Sequence, residues 1–261
     1  MKKSIHILLG LPLVFAGMAM LSFDLSPTPP DGKIHKIVID AGHGGKDPGC
    51  HGVKAKEKTV ALNIALELRR ILQENLQEVE VILTRDDDTF VELYRRGAIA
   101  GEEEADFFVS IHCNANSNKH AYGTETYVLG MHRDDAKSTV LKENGSIYLE
   151  ENYEENYSGF DPESPSSIII MDMLQEIQLQ QSVMLAENVE LEFKDKVKRH
   201  SRGVKQAGYV VLWKAPTPSI LIETGFLTNS DEEKFLNSEQ GQVYMASAIY
   251  RAIKQYNLDI E

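Results

Sequence analysis

The chain has 261 residues, of which 42% are hydrophobic and 26% are charged. That length and composition are typical of one sizeable globular domain, or of one domain with a large insertion. Its 40 acidic residues outnumber its 27 basic residues and give a formal net charge of −13. Because such a surface repels polyanions, the composition argues against nucleic-acid binding, and we expect no nucleic-acid partner.

The N-terminus has the pattern of an export signal. Two lysines precede an apolar run from Ile5 to Leu21, with small residues near its end. The run is short for a membrane span, which needs about 20 apolar residues, and it contains no clean A-x-A cleavage site. We therefore interpret residues 1–23 as a signal peptide or an N-terminal anchor, residues 24–33 as a Pro-rich linker, and residues 34–261 as the folded domain. The expected location is the periplasm or the cell envelope.

Strand-like and helix-like segments alternate along the folded domain. Hydrophobic periodicity predicts strands over residues 36–40, 79–84, 106–112, 123–129, 208–212 and 219–225. It predicts helices over residues 58–76, 91–104, 173–193, 231–237 and 241–256. This alternation indicates an α/β sheet that is covered by helices on both faces.

Titratable side chains lie at the carboxyl ends of several predicted strands. His43 comes just after the first strand, His112 ends the third, and Glu223 lies near the end of the last. Glu57 stands where the loop after the first strand meets a helix. Because ligands collect where the carboxyl ends of the strands open, we expect these four side chains to converge. Two histidines and a carboxylate are a known ligand set for catalytic zinc, and a further carboxylate would serve as general base.

The glycine-rich stretch around His43 has a second interpretation as a phosphate-binding loop. Such a loop needs Gly-Lys followed by Ser or Thr at the start of a helix, whereas Lys46 is followed by Asp47 and Pro48. We interpret the glycines at positions 42, 44 and 45 instead as the backbone freedom that lets the chain turn sharply, so that His43 points inward.

Several stretches occur together in the order that is typical of a known family. They are IVIDAGHGGKDPG, a Glu at position 57 heading a helix, TR at 84–85, ADFFVSIHCNAN and PSILIETGFLTN. With them the chain resembles the zinc-dependent N-acetylmuramoyl-L-alanine amidases of bacterial cell walls, from about residue 36 to residue 256. The resemblance implies a mixed, mostly parallel twisted sheet with helices on both faces.

The same resemblance implies a cofactor, a substrate and roles for individual residues. It implies that His43, Glu57 and His112 bind Zn²⁺ and that Glu223 is the catalytic acid/base. The implied reaction hydrolyses the amide bond between the lactyl group of N-acetylmuramic acid and the L-Ala of peptidoglycan stem peptides.

Residues 131–180 interrupt the alternation of strands and helices, and the segment is acidic. The pattern over 138–155 is compatible with a helix broken at Gly145. One interpretation is a solvated surface insertion. The resemblance implies a regulatory insertion instead, since division-associated members of the family carry an insertion here whose helix covers the zinc and supplies a blocking carboxylate. A protein activator that binds the open form more tightly would release such a helix. The candidate blocking residues are Glu143, Glu151 and Glu154.

Two arginines and two cysteines keep alternatives open. Arg85 and Arg96 are compatible with substrate binding or with ion pairs that hold a helix to the sheet.

Cys50 and Cys113 would lie near the zinc, and export is compatible with a disulfide between them or with two free thiols. Alternation along a strand directs Cys113 away from the side that His112 faces, so we expect neither cysteine to bind the metal.

Two other functions remain open at this stage. One is a zinc peptidase or deacetylase that acts on cell-wall material, because metal ligands do not identify the substrate. The other is a non-catalytic wall-binding protein. The second fits less well, since a binding module has no use for both metal ligands and a base.

Overall fold

The computed structural model describes residues 32–130, 137–157 and 176–260. In these ranges the strands are β1 (Lys36–Ala41), β2 (Glu80–Leu83), β3 (Phe107–Asn114), β4 (Thr124–Leu129), β5 (Ser201–Ala207) and β6 (Ser219–Phe226). The α-helices are α1 (Glu57–Asn75), α2 (Leu93–Glu102), α3 (Lys137–Asn144), α4 (Tyr153–Asn156), α5 (Glu176–Asp195), α6 (Val210–Trp213), α7 (Ser230–Leu236) and α8 (Glu239–Ile260). A 3-10 helix, Gly145–Leu149, follows α3.

The strands form one sheet in the order β2-β1-β3-β6-β4-β5. Strands β2, β1, β3 and β6 are parallel, whereas β4 pairs with β6 antiparallel and with β5 parallel. The prediction of a mixed, mostly parallel sheet is thus confirmed. Because β1, β3 and β6 run in the same direction, the residues at their carboxyl ends share one edge of the sheet.

Helices cover both faces of the sheet. On the first face α1, α5 and α8 pack on alternate strand residues such as Ile39, Ile111 and Ile222. On the second face α2 and α6 cover Val38, Phe108 and Leu221, together with buried residues of the segment 137–157. The side chains of His112 and Glu223 alternate with the first-face residues, so they face the second side.

One predicted strand was wrong. Residues 208–212 do not form a strand, because α6 begins at Val210, and the strand lies just before it over residues 201–207. A short buried apolar run does not distinguish a strand from a helix by its periodicity. The true strand, SRGVKQA, lies at the edge of the sheet and is mostly half-exposed, so it carries little of the apolar pattern that marks a strand.

The described part of the insertion is packed onto the domain. Most of it consists of α3, the 3-10 helix and α4, whereas residues 176–180 are the start of α5, and the break at Gly145 lies where the sequence predicted it. Val140, Ile147 and Tyr157 are buried in the second-face core. Residues 137–157 are therefore a packed layer on the second face and not a solvated loop, while residues 131–136 and 158–175 lie outside the described residues.

The N-terminal predictions concern residues 1–31, which also lie outside the described residues, so the signal peptide and most of the linker remain predictions. Within the described ranges, no helix combines the length and the apolar character that crossing a bilayer requires.

Candidate metal centre and active site

Four side chains bring one potential metal-binding atom each to the same point. His43 Nε2 lies 3.0 Å from Glu57 Oε1 and 3.1 Å from Glu143 Oε2. His112 Nδ1 lies 3.0 Å from Glu57 Oε1 and 3.2 Å from Glu143 Oε2. All four atoms are within 4.8 Å of one another. The structure thus brings the three predicted ligands together and adds Glu143 from the insertion.

The donor set and its spacing fit a zinc ion. Ligand atoms about 2.0 Å from a tetrahedral Zn²⁺ lie about 3.3 Å apart, close to the distances in this cluster. Two imidazole nitrogens and carboxylate oxygens are donors that zinc accepts. His43 Nε2 and Glu143 Oε2 are buried and make no hydrogen bond within the described residues. Buried polar atoms without partners are rare, and a metal ion would satisfy both.

The loop after β1 turns so tightly that His43 adopts a left-handed conformation with φ 60°. Two glycines permit the close packing around it. A Cβ on Gly42 would lie 2.4 Å from the His112 ring, and one on Gly49 would lie 2.6 Å from both the Glu57 carboxylate and the His43 ring. Glycines in this loop therefore do more than let the chain turn, as predicted. They also leave room for the candidate metal-binding side chains to come close together.

Arg85 and Arg96 hold the backbone of this loop. Arg96 extends from α2, donates to the carbonyls of Ala41 and His43, and forms an ion pair with Asp40 at 2.9 Å. Arg85 donates to the carbonyls of Ala41 and Gly42. Both side chains are buried. These contacts favour the interpretation in which both arginines hold the fold together, and Arg96 in addition fixes the carbonyl of His43, a candidate metal ligand.

Glu57 is fixed on both of its oxygens. It is the first residue of α1, where a negative charge is favoured by the helix dipole. Its Oε1 accepts from the backbone N–H of Cys113 at 2.9 Å, and its Oε2 accepts from the backbone N–H of Cys50 at 2.7 Å. The loop after β1 and the end of β3 therefore aim this carboxylate at the two histidines.

Glu223 lies on β6 directly beside this cluster. It pairs in register with His112 on β3 and with Glu125 on β4, and neighbouring strands are about 4.8 Å apart. Glu223 is fully buried, and neither of its carboxylate oxygens has a hydrogen-bond partner within the described residues. Glu125, by contrast, accepts from Tyr127, Arg202 and Lys205. Glu223 is thus a buried carboxylate next to the candidate metal ligands, and no described group holds its oxygens by a hydrogen bond.

The charges of the site shift the pKa values of its members in opposite directions. Burial raises the pKa of Glu223, and the negative charges of Glu143 and Glu57 raise it further, well above its usual value. Burial alone would lower the pKa of His112, but its contacts with Glu143 and Glu57 raise it to about 10. The charges of Glu57 and Glu143 likewise outweigh burial and raise the pKa of His43. The carboxylates of the cluster therefore favour the protonated, positively charged form of the two histidines. The surroundings of Glu223 favour its protonated, neutral form.

The three candidate blocking residues are placed very differently. Glu143, near the end of α3, has a side chain that is 12% exposed and contacts both histidines. Glu151 is exposed. Residue 154 belongs to α4, but its side chain lies outside what the structure describes. Among the described side chains of the insertion, Glu143 is the carboxylate at the metal cluster.

Both cysteines are free thiols. Cys113 packs in the first-face core, opposite to the side of His112, as strand alternation predicted. Its Sγ lies 3.2 Å from Thr224 Oγ1, and Cys50 donates to the carbonyl of Cys113 at 3.1 Å. Neither thiol belongs to the metal cluster.

Sequence reasoning missed two residues that bear on the site. Asp47 Oδ2 lies 2.8 Å from His43 Nδ1 and accepts a hydrogen bond from Ser146 Oγ, also at 2.8 Å. Asp47 could have been found, since it follows His43 by four residues in a tight glycine loop. Ser146 gave no signal, because its contact depends on how the insertion folds back onto the domain.

Comparisons with known proteins identify relatives of this chain. Residues 37–255 match the family described as N-acetylmuramoyl-L-alanine amidase. The amidase AmiA of Escherichia coli is 34% identical over 226 residues, which cover 84% of this chain and 75% of the relative. The amidase AmiC of an E. coli O6:H1 strain is 33% identical and is covered over 53% of its length.

Solved structures carry the same fold. An N-acetylmuramoyl-L-alanine amidase from Clostridium difficile 630 matches with a TM-score of 0.64 and 28% identity over 87% of this chain and 98% of that one. The CwlD amidase of Clostridioides difficile, solved in complex with the GerS lipoprotein, matches with a TM-score of 0.62, 28% identity and coverage of 87% and 100%. The chain therefore belongs to the N-acetylmuramoyl-L-alanine amidase family.

Proposed function

We propose that this chain is a zinc-dependent amidase that cleaves the bond between N-acetylmuramic acid and L-alanine in peptidoglycan, with residues 34–261 as its catalytic domain. The observation that carries the proposal is the buried cluster of His43, Glu57 and His112 beside Glu223. It occurs in a chain that belongs to a family with this activity. Peptidoglycan is the proposed substrate, and nucleic acid is not a proposed partner.

Each residue of the site has a distinct task in this proposal. His43, Glu57 and His112 would hold the Zn²⁺, and their anchored loop and strand positions keep the donor atoms directed at one point. When bound, the ion supplies a Lewis acid that polarises the scissile carbonyl and lowers the pKa of a water molecule. Arg85 and Arg96 keep the His43 loop in place while the substrate binds.

Glu223 would move the proton. Its unpartnered carboxylate accepts a proton from the attacking water and then gives it to the nitrogen of the leaving L-Ala. The raised pKa of Glu223 favours the protonated form that gives its proton to the leaving nitrogen, and a cation bound beside it would favour the ionised form that accepts a proton from water. Glu125 is held by two cations on β5 and is not free for this task.

Digestion of purified peptidoglycan tests the proposed reaction. We expect soluble stem peptides that carry a free L-Ala amino terminus, and glycan strands that retain intact N-acetylmuramic acid. New amino termini within the stem peptide would indicate a peptidase, and released acetate would indicate a deacetylase. Binding to the wall without any product would indicate a wall-binding protein, and each of these outcomes contradicts the proposal.

We propose further that the insertion inhibits the enzyme. Glu143 takes a ligand position that an incoming water or carbonyl oxygen would need. The neighbouring Asn144 holds the segment down, because its side chain donates to the carbonyl of Gly208 and accepts from the N–H of Val210. A catalytic zinc site keeps one position open for the reaction, and this segment closes it.

A second set of contacts holds the insertion against α2. Glu150 Oε1 accepts from the N–H of Leu93 at 2.6 Å, and Tyr157 Oη accepts from the N–H of Tyr94 at 2.8 Å. These are N–H groups of the first turn of α2, whose N-cap residue makes no side-chain bond to them. Holding about 99% of molecules closed takes about 2.7 kcal/mol, which a few such hydrogen bonds can supply.

Replacing Glu143 by Ala is expected to raise the basal rate of wall hydrolysis by about tenfold or more, because closure then loses its metal contact. The matched control is Glu151→Ala, which removes an exposed carboxylate of the same insertion and should leave the rate unchanged. Release of L-Ala-terminated peptides measures both variants at equal zinc content. A Glu143→Ala protein that is folded, zinc-loaded and no faster than wild type rejects the inhibition.

Export and activation complete the proposal. Residues 1–23 would direct the chain to the periplasm or the cell envelope, where its substrate lies, either as a cleaved signal peptide or as an anchor.

A protein activator would release the insertion by binding the open form more tightly than the closed form. The complex of the CwlD amidase with a lipoprotein supports the idea that members of this fold accept protein partners.

A further inference from the structure

One carboxylate oxygen connects the metal cluster with the insertion. Asp47 Oδ2 lies 2.8 Å from His43 Nδ1 and 2.8 Å from the Ser146 hydroxyl, and Asp47 is buried. Its other oxygen accepts from the backbone N–H of Gly49 at 3.1 Å. Asp47 therefore contacts a candidate metal ligand, the loop that carries it and the segment that closes the site.

The contact with His43 determines which ring nitrogen is free. An ionised carboxylate only accepts hydrogen bonds, so Nδ1 must carry the proton. In the neutral ring that zinc binding requires, the lone pair is then on Nε2, which is the nitrogen that lies at the metal cluster. The Ser146 hydroxyl and the backbone N–H of Gly49 both donate to Asp47 as well, so every polar contact of this side chain is one that a carboxylate accepts.

Resting on the proposed zinc site, we propose that Asp47 is a positioning residue for His43 and that the insertion is seated on the same carboxylate through Ser146. Such an outer partner fixes the tautomer and orientation of a ligand histidine and raises its basicity. Glu143 and Ser146, three residues apart, then contact the metal site from two sides: one at the ligand position and one behind a ligand.

Most of the contacts that hold the loop do not involve the side chain of Asp47. The backbone groups of Gly44 and Asp47 bond each other in both directions, at 2.9 and 3.0 Å. The arginine contacts to the loop carbonyls are equally independent of it. A change of carboxylate to amide at position 47 should therefore leave the fold intact and act on the His43 ring.

The first test compares zinc affinity by competition with a chelator, using the full chain. Asp47→Asn should bind zinc about 10- to 100-fold more weakly, which is the usual cost of losing an outer partner. The control Asp88→Asn removes a carboxylate that bonds Gly45 of the same loop without touching His43, and it should bind zinc as wild type does. His112→Ala separates this inference from the proposed function, because retained zinc in that variant rejects the metal site itself.

A spectroscopic readout distinguishes positioning from a general effect on the loop. In zinc-loaded protein labelled with ¹⁵N-histidine, the Nδ1 proton of His43 should resonate downfield and should move upfield in Asp47→Asn but not in Asp88→Asn. The inference is overturned if Asp47→Asn binds zinc within about threefold of wild type, or if its affinity falls while this resonance stays in place.

The Ser146 contact has its own test. Ser146→Ala removes the hydroxyl but leaves the His43–Asp47 bond, so wall hydrolysis at saturating zinc should rise about tenfold, as expected from losing a hydrogen bond to a charged group. Glu151→Ala is again the control. If Ser146→Ala keeps the wild-type basal rate, the insertion is not seated on Asp47.

Discussion

Replacing Glu223 by Gln is expected to lower turnover by about 10²- to 10⁴-fold, the usual worth of general acid–base catalysis. Gln keeps the shape of the side chain but does not accept a proton at neutral pH. Because Glu223 is not one of the four clustered donors, the zinc content should be unchanged. The measurement is the rate of peptide release in the Glu143→Ala background, which the proposed inhibition expects to be the more active form.

Glu190→Gln is the matched control for this loss. Glu190 is also a buried carboxylate, but it accepts from Thr124, Thr126 and Ser201 on the opposite face of the sheet. Its replacement changes the stability of the domain without touching the site, so turnover of the folded protein should stay near the parent value. Near-normal turnover of Glu223→Gln would show that another group moves the proton.

Replacing His112 by Ala is expected to abolish both zinc binding at stoichiometric metal and wall hydrolysis. The affinity should fall by more than about 100-fold, which exceeds the cost of losing a mere outer partner of a ligand. His120→Ala removes an exposed histidine from the loop after the same strand and serves as the control. Metal analysis of the purified proteins checks both variants, and full zinc occupancy in His112→Ala contradicts the assignment.

Zinc binding to the wild-type chain should also depend on pH. Without the metal, the carboxylates of Glu57 and Glu143 raise the pKa of His43 and raise that of His112 to about 10, so protons compete with zinc for these rings at neutral pH. Zinc binds the unprotonated nitrogens and must displace these protons. The affinity should therefore rise as the pH increases from 6 to 9, with proton release that calorimetry in buffers of different ionisation enthalpy measures. An affinity that stays constant over this range would contradict these raised pKa values.

The positions of His43, His112 and Glu223 could be predicted from the sequence because they follow from simple rules. A buried strand ends where its apolar run ends, and the carboxyl ends of parallel strands open at one edge. Strand alternation then places His112 and Glu223 on one face and Cys113 on the other. The position of Glu57 could be predicted for a similar reason, because it begins a helix with clear hydrophobic periodicity.

The parts that the sequence did not predict depend on tertiary contacts. The choice of Glu143 over Glu151 is set by how α3 packs through Val140 on the second-face core, which no local pattern encodes. The contacts of Arg85 and Arg96 with loop carbonyls have the same origin. The wrong strand prediction at 208–212 has a different cause. A short apolar run does not distinguish a strand from a helix, even before tertiary contacts are considered.

A zinc-edge anomalous difference map from crystals of the full chain with stoichiometric zinc tests the proposed metal centre most directly. We expect one peak, about 2.0–2.2 Å from His43 Nε2, His112 Nδ1 and carboxylate oxygens of Glu57 and Glu143. In crystals of Glu143→Ala the peak should remain on the first three residues alone. A peak elsewhere in the molecule, or its loss from this cluster while bulk analysis still finds one zinc per chain, would contradict the proposed metal centre.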